Sequence, residues 1–242
     1  MKRIIIMGAT SGIGLEVARL FLEAGWLVGA AGRRVESLEA LHATAPEQII
    51  TSRIDITKPE ADQQLLDLIN RLGGMDLYFH ASGIGYYNPD LDAEKELSTL
   101  RTNGEGFVRM IRTAYSYLAA HGGGRIGAIS SIAGTKGLGM APAYSATKRM
   151  QNCYLDALAQ RARLEKSGVR ITDIRPGFVR TALLADRPYP MLMQVEPVAR
   201  AIFRALLKGR RSVIIDTRYR LLVTLWRWIP RWLWERLPIK NS

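Results

Sequence analysis

The chain has 242 residues, 48% of them hydrophobic and 23% charged, which excludes a disordered or fibrous protein and suits one large domain. Lysine and arginine total 34 against 22 acids, giving a net charge of +12. One cysteine, Cys153, excludes an internal disulfide and a cysteine-rich zinc site, and His42, His80 and His121 lack ligand-like spacing, so no metal site is expected. In chain order, short β-branched runs at 3–7, 26–31, 49–54, 76–81, 125–130, 169–174 and 212–215 read as strands. Between them, helical periodicity covers 14–24, 35–45, 59–72, 94–120, 143–166 and 196–207, with Gly25, Gly73, Gly122 and Gly168 at helix ends. This alternation predicts an α/β fold, a doubly wound parallel sheet of Rossmann type in three αβα layers. Residues 1–216 form the expected single domain and 217–242 a basic, tryptophan-rich C-terminal segment. The apolar run after Met1-Lys2-Arg3 is too short for a signal peptide, and no stretch approaches the roughly 18 apolar residues of a membrane span. The chain therefore reads as cytoplasmic, either soluble or peripherally attached to a membrane face.

Directly after the first strand comes Gly8-Ala9-Thr10-Ser11-Gly12-Ile13-Gly14, opening into a helix. Absent side chains let the backbone approach a pyrophosphate, while the free N–H groups and dipole of the helix start favour its charge. A tight turn without a ligand would use the same glycines. No Lys-Ser/Thr pair follows, which excludes a P-loop nucleotidase. Gly32, Arg33 and Arg34 follow the second strand, where an acid would select the free ribose 2′-hydroxyl of NAD(H). No acid stands there, and a guanidinium grips a 2′-phosphate, so NADP(H) is expected over NAD(H).

Tyr144-Ser145-Ala146-Thr147-Lys148 stacks a phenol and an ammonium on one helix face. A nearby cation favours phenolate, which predicts a lowered tyrosine pKa and a proton donor and acceptor. Ser130-Ser131 ends the fifth strand, on the side where open α/β sheets bind ligands. Taken singly, each feature also fits an ordinary exposed helix pair or a strand-end serine.

As a set these residues resemble the short-chain dehydrogenase/reductase family in its compact single-domain form, from about residue 3 to residue 215. Gly8, Gly12 and Gly14 match its glycine motif, with Thr10, Ser11 and Ile13 between them, although Met7 stands where a threonine is usual. Asp55 and Ile56 resemble the pair after the third strand that meets the adenine, and Asn103 the helix asparagine that organises a proton-relay water. Ser131, thirteen residues before Tyr144, matches the catalytic serine, and Tyr144 and Lys148 match the Tyr-x3-Lys pair. Pro176, Gly177, Val179 and Thr181 match the segment around the nicotinamide. His80-Ala81-Ser82-Gly83 departs from the family's Asn-Asn-Ala-Gly, which implies altered cofactor affinity with Ala81 and Gly83 still beside the cofactor. His80 is read as a strand-end residue with a structural hydrogen bond.

The resemblance implies reversible hydride transfer between NADPH and a carbonyl or alcohol carbon. Ser131 orients the carbonyl, Tyr144 donates the proton, Lys148 holds the ribose and depresses the tyrosine pKa, and Asn103 links the lysine to solvent. A redox-silent NADP(H)-binding regulator or scaffold at a membrane is the rival, and it has no need of Ser131, Tyr144 and Lys148 together. The loop after Gly177 holds Leu183, Leu184, Tyr189, Met191, Leu192 and Met193, an adaptable apolar lid that leans toward a lipophilic substrate. Arg180 and Arg187 read as solvated loop charges or as partners for an acidic group. A homodimer or homotetramer through helices 94–120 and 143–166 follows from the family likeness. The tail carries four of the five tryptophans and six basic residues against one acid, a charge of +5. On a helical wheel Leu222, Leu225 and Ile229 share a face opposite Arg220 and Arg227, so 218–237 suits either an anionic membrane or packing on the body or a second subunit. No recognition motif accompanies the charge, so no nucleic acid partner is expected.

Overall fold

The computed structural model describes residues 1–184 and 189–239. The first strand, β1 (Arg3–Met7), is buried on both sides, and its period-two alternation assigns Ile4 and Ile6 to one core and Ile5 and Met7 to the other. Around it stand β2 (Leu27–Gly32), β3 (Ile49–Arg53), β4 (Leu77–His80), β5 (Gly124–Ile129), β6 (Val169–Pro176) and β7 (Ser212–Ile215). All pairings are parallel, in the order β3-β2-β1-β4-β5-β6-β7. The order reverses between β1 and β4, which opens a crevice at their carboxyl ends.

One face is covered by α1 (Gly12–Glu23), α2 (Val35–Thr44) and α7 (Val195–Lys208). The other carries α3 (Ala61–Arg71), α5 (Phe107–Ala120) and α6 (Pro142–Leu164), with α4 (Ala93–Leu100) leading into α5. The three-layer doubly wound sheet expected from the sequence is therefore the fold. Two boundaries differ for local reasons. The helix predicted over 94–120 is interrupted by a π-turn at Arg101–Gly106, where Gly106 comes so close to Ile56 that a Cβ would stand 2.9 Å from its carbonyl oxygen. The sixth strand runs to Pro176 rather than ending at 174, because beyond Ile174 only the β7 side is paired, as Pro176 with Ile215, and the missing N–H costs no ladder bond.

The tail folds as α8 (Thr217–Trp228) and α9 (Arg231–Trp234). Asp216 caps α8 by accepting from the backbone of Arg218 at 2.9 Å. The structure divides the face drawn on the helical wheel: Leu222 and Ile229 are half-buried and Leu225 is exposed, while Tyr219 and Val223 turn into the core. The cause is Gly177, where an added Cβ would lie 2.2 Å from the Tyr219 ring, so that this ring seats in the glycine's space and sets the helix rotation. Among the described residues no helix is long and apolar enough to cross a membrane.

Candidate active site

A cavity of about 570 Å³ opens at the carboxyl ends of the strands. Its floor begins at the glycine turn, where Gly8 and Gly12 have φ of +97° and +53° and an added Cβ on Gly14 would sit 2.0 Å from the Gly8 carbonyl oxygen. Ser11 precedes α1 without a side-chain capping bond, so the first N–H groups of that helix remain available to an anion. Instead, the Ser11 hydroxyl accepts from the Arg34 guanidinium at 2.5 Å, and the Thr10 hydroxyl accepts from the same group at 2.9 Å. Arg33 and Arg34 are both exposed at the cavity edge.

Asp55 accepts from the backbone N–H and hydroxyl of Thr57 at 3.0 and 2.8 Å. Burial raises its pKa, but the Thr57 bonds and the nearby Arg33 and Lys58 charges outweigh this and hold the carboxyl below its ordinary value. This cradle fits a dinucleotide: glycines where a side chain would collide, a helix start, and two guanidinium groups on its rim.

The reacting wall comes from β5, the turn after it, and α6. Ser131 caps the short turn Ile132–Gly134, its hydroxyl accepting from the Ala133 N–H at 3.1 Å. Tyr144 and Lys148 stand one turn apart on α6, with Lys148 Nζ 5.6 Å from the phenol ring centroid. Gly85 lets the loop after β4 lie on this ring, since a Cβ there would be 2.6 Å from Tyr144. Burial pushes the Tyr144 pKa above 10.0, opposed by the neighbouring Ser131 hydroxyl. This corrects the expectation of a lowered tyrosine pKa, because removal from water dominates in the free protein. Burial also lowers the Lys148 pKa to about 8, partly opposed by Asp173.

Of the predicted residues, Gly8, Thr10, Ser11, Gly12, Ile13, Gly14, Arg33, Arg34, Asp55 and Ile56 line the cavity. So do Ala81, Gly83, Ser131, Tyr144, Lys148, Pro176, Gly177, Val179 and Thr181. Asn103 lies behind them, fully buried in the π-turn, where its side chain accepts from the Ile84 N–H at 2.9 Å and donates to the Ile84 carbonyl at 2.6 Å. It meets Lys148 through Gln151, a residue that sequence reading missed. Gln151 donates to the Asn103 carbonyl at 2.8 Å and accepts from Lys148 Nζ at 3.1 Å, and Nζ also donates to the Ile129 carbonyl at 3.0 Å.

His80 is buried with Nδ1 3.0 Å from the Tyr78 hydroxyl, and burial together with the Lys148 charge lowers its pKa to about 3. It is a neutral structural residue at neutral pH. Also unforeseen were Asp173, which joins Ser130, Asn152 and Arg175, and the tail residue Trp226, which lines the cavity with Leu138, Leu183 and Tyr189. Arg180 is exposed, and Arg187 lies outside the described residues. Among the described residues no cluster of His, Cys, Asp or Glu could hold a metal ion.

A family model described as short chain dehydrogenase matches residues 2–189. The chain is 30% identical over 217 residues to an uncharacterised oxidoreductase of Myxococcus xanthus, covering 86% of this chain and 85% of that protein. An uncharacterised oxidoreductase of Listeria monocytogenes is 34% identical over 190 residues, 76% of each chain. In fold it is similar to an alcohol dehydrogenase from the archaeon Thermococcus sibiricus, solved in complex with 5-hydroxy-NADP. The TM-score is 0.78 at 24% identity, covering 90% of this chain and 97% of that one. The chain belongs to the short-chain dehydrogenase/reductase family, whose members are oxidoreductases that bind nicotinamide cofactors.

Proposed function

We propose that this protein is an NADP(H)-dependent oxidoreductase that interconverts a lipophilic carbonyl compound and its alcohol. The observation that carries the reading is the gathering of Ser131, Tyr144 and Lys148 on one wall of the cavity whose floor is the glycine cradle. When bound, the nicotinamide supplies a hydride to the carbonyl carbon or takes one from the alcohol carbon. In reduction, the Ser131 hydroxyl donates a hydrogen bond to the carbonyl oxygen and holds it beside the phenol. Tyr144 donates its proton to that oxygen, and the Lys148 ammonium stabilises the phenolate left behind. The raised Tyr144 pKa keeps the phenol loaded at neutral pH, which suits reduction. Leu138, Leu183, Tyr189 and Trp226 exclude water on the substrate side. Residues 1–216 carry the reacting groups and the cofactor cradle, Trp226 of the tail adds to the substrate wall, and a homodimer or homotetramer in the cytoplasm is the expected form.

A panel of ketones, aldehydes and secondary alcohols followed by NADPH absorbance tests the reading, and a silent protein that binds NADPH but turns over none of them would support the rival binding role. The arginine pair makes a sharper demand. Arg34→Ala is expected to weaken NADPH binding about ten- to a hundredfold and NADH binding less than about twofold, because only NADPH carries the phosphate a guanidinium grips. Fluorescence titration with both cofactors measures the difference.

Gln151 acts as a positioning residue for Lys148. Gln151→Leu keeps a similar volume in the core but leaves Nζ without its side-chain acceptor. The expected result is about a tenfold lower kcat with little change in the dissociation constant of NADPH. In addition, the alkaline limb of kcat/KM should move to lower pH, a displacement that a merely structural role would not produce.

A further inference from the structure

Helix α8 is apolar on two opposite sides. Its inner side seats Tyr219 and Val223 in the core and presents Trp226 to the cavity. Its outer side carries Leu221, Leu225 and Trp228, spaced at i, i+4 and i+7 and exposed by 64%, 57% and 83%. Past Pro230, Trp232 is 60% exposed, and Leu233 and Leu237 are exposed as well. A helix that only covers a core needs one apolar stripe.

The outer stripe is not a face waiting to fold back onto the body, because the hairpin is already fastened. The Trp234 indole donates to the Gly137 carbonyl at 2.7 Å, Lys136 Nζ donates to the Ile229 carbonyl at 2.8 Å, and Trp226 and Trp234 meet edge to face at 5.3 Å. Exposed Arg220, Arg227, Arg231 and Arg236 rim the apolar stripe, and Arg236 lies over the Trp232 ring at 5.5 Å. A second copy of the chain would bring an equally basic face against this one, which like-charge repulsion opposes. Tryptophan with arginine instead matches the headgroup zone of a negatively charged bilayer.

We infer that α8 and α9 dock on an anionic membrane surface through Leu221, Leu225, Trp228 and Trp232, and that the cavity takes its lipophilic carbonyl substrate from that bilayer. The juxtaposition behind the second half is that one helix supplies both the docking stripe and, through Trp226, a wall of the cavity. This half rests on the oxidoreductase reading of the site, whereas the docking half does not.

The test uses the full chain with vesicles of phosphatidylglycerol and phosphatidylcholine in equal parts, and with vesicles of phosphatidylcholine alone. The native protein is expected to sediment with the anionic vesicles about tenfold more strongly than with the neutral ones, and to be released by high salt. A L225E/W228E/W232E variant should lose that binding about tenfold while keeping NADPH affinity and the turnover of a small water-soluble ketone. Its turnover of a long-chain ketone presented in anionic vesicles should fall at least about fivefold. Should the triple variant fail to fold, Trp228→Ala with the blue shift of tryptophan fluorescence on vesicles gives the same reading.

Native protein that stays in the supernatant with both vesicle types overturns the docking, as does a folded variant that sediments like the native chain. A native dimer that the variant converts to monomer, with no vesicle binding by either, makes the stripe a subunit joint and also overturns it. Equal turnover of the vesicle-borne ketone by native and variant protein removes the bilayer-delivery half. Sedimentation with vesicles by a protein that reduces no ketone of any length would sink the oxidoreductase reading and leave the docking standing.

Discussion

Replacing Tyr144 by phenylalanine is expected to lower kcat for carbonyl reduction by about a hundred- to ten-thousandfold, the span typical of a lost general acid. NADPH affinity should stay within about twofold. The change removes one hydroxyl and keeps the ring that packs against Gly85, so folding and the cofactor cradle are preserved. Stopped-flow NADPH oxidation measures the first quantity and fluorescence titration the second. Full turnover by Tyr144→Phe would remove the phenol from the chemistry. The pH profile offers an independent check on the same wall. With the Lys148 pKa lowered to about 8, the ammonium that stabilises the developing phenolate is present below that pH and lost above it. The kcat/KM for reduction, which reports the free enzyme, should therefore be level below about pH 8 and fall above it.

What the sequence made visible is what short spacing encodes. The glycine turn occupies seven residues from Gly8 to Gly14, and Tyr144 and Lys148 are four apart, so a backbone period suffices to bring each set together. Ser131 was legible because it ends the fifth strand on the side where a parallel sheet binds ligands, whereas Asp55 was legible only through the family resemblance. Contacts formed between distant elements were not legible. Gln151 reaches Asn103 across 48 positions and Asp173 reaches Ser130 across 43, and no local pattern distinguishes a buried amide or carboxyl from a solvated one. Which face of the amphipathic tail turns inward was not legible, because the rotation of α8 depends on the space at Gly177, about forty residues upstream. The tyrosine pKa was misjudged for a related reason: a Tyr-x3-Lys spacing reveals the cation, but only the packed structure reveals the burial that opposes it.

The tail and the substrate loop are mechanically joined, which gives α8 a consequence beyond its surface. The Tyr219 hydroxyl accepts from the Phe178 N–H at 3.1 Å and shares its proton between the Pro190 and Met191 carbonyls at 3.0 and 3.1 Å. It thereby ties both ends of the apolar loop to one helix. Val179 and Met193 bridge the loop's two arms beneath that tie. A ligand pressing on Trp226 and a surface holding Leu225 act on the same rigid element, so access to the cavity and attachment of the tail are expected to be coupled.

Asp173→Ala is expected to cost about 3–5 kcal/mol of stability, the range for breaking a buried charged pair on one side. Asp173 is fully buried, accepting from the Ser130 hydroxyl at 2.5 Å, from Asn152 at 3.0 Å and from Arg175 Nε at 2.7 Å. Truncation leaves Ser130 only the Ile174 carbonyl at 3.3 Å and Asn152 only the Ser130 hydroxyl at 2.7 Å, and the Arg175 guanidinium, with only 13% of its side chain exposed, loses its carboxylate partner. At about 2–4 °C per kcal/mol for a chain of this size, the midpoint should drop by roughly 10 °C, which calorimetry would detect directly. Asp173→Asn retains an acceptor for Ser130 and should lose less, separating the charge from the shape. Both variants also remove the negative charge that raises the Lys148 pKa, so that pKa should fall further and the alkaline limb of kcat/KM should move to lower pH. A variant with native stability and an unmoved limb would mean that this buried carboxyl neither braces β5 against β6 nor reaches the lysine electrostatically. The serine wall and the ammonium would then have to owe their placement to the backbone alone.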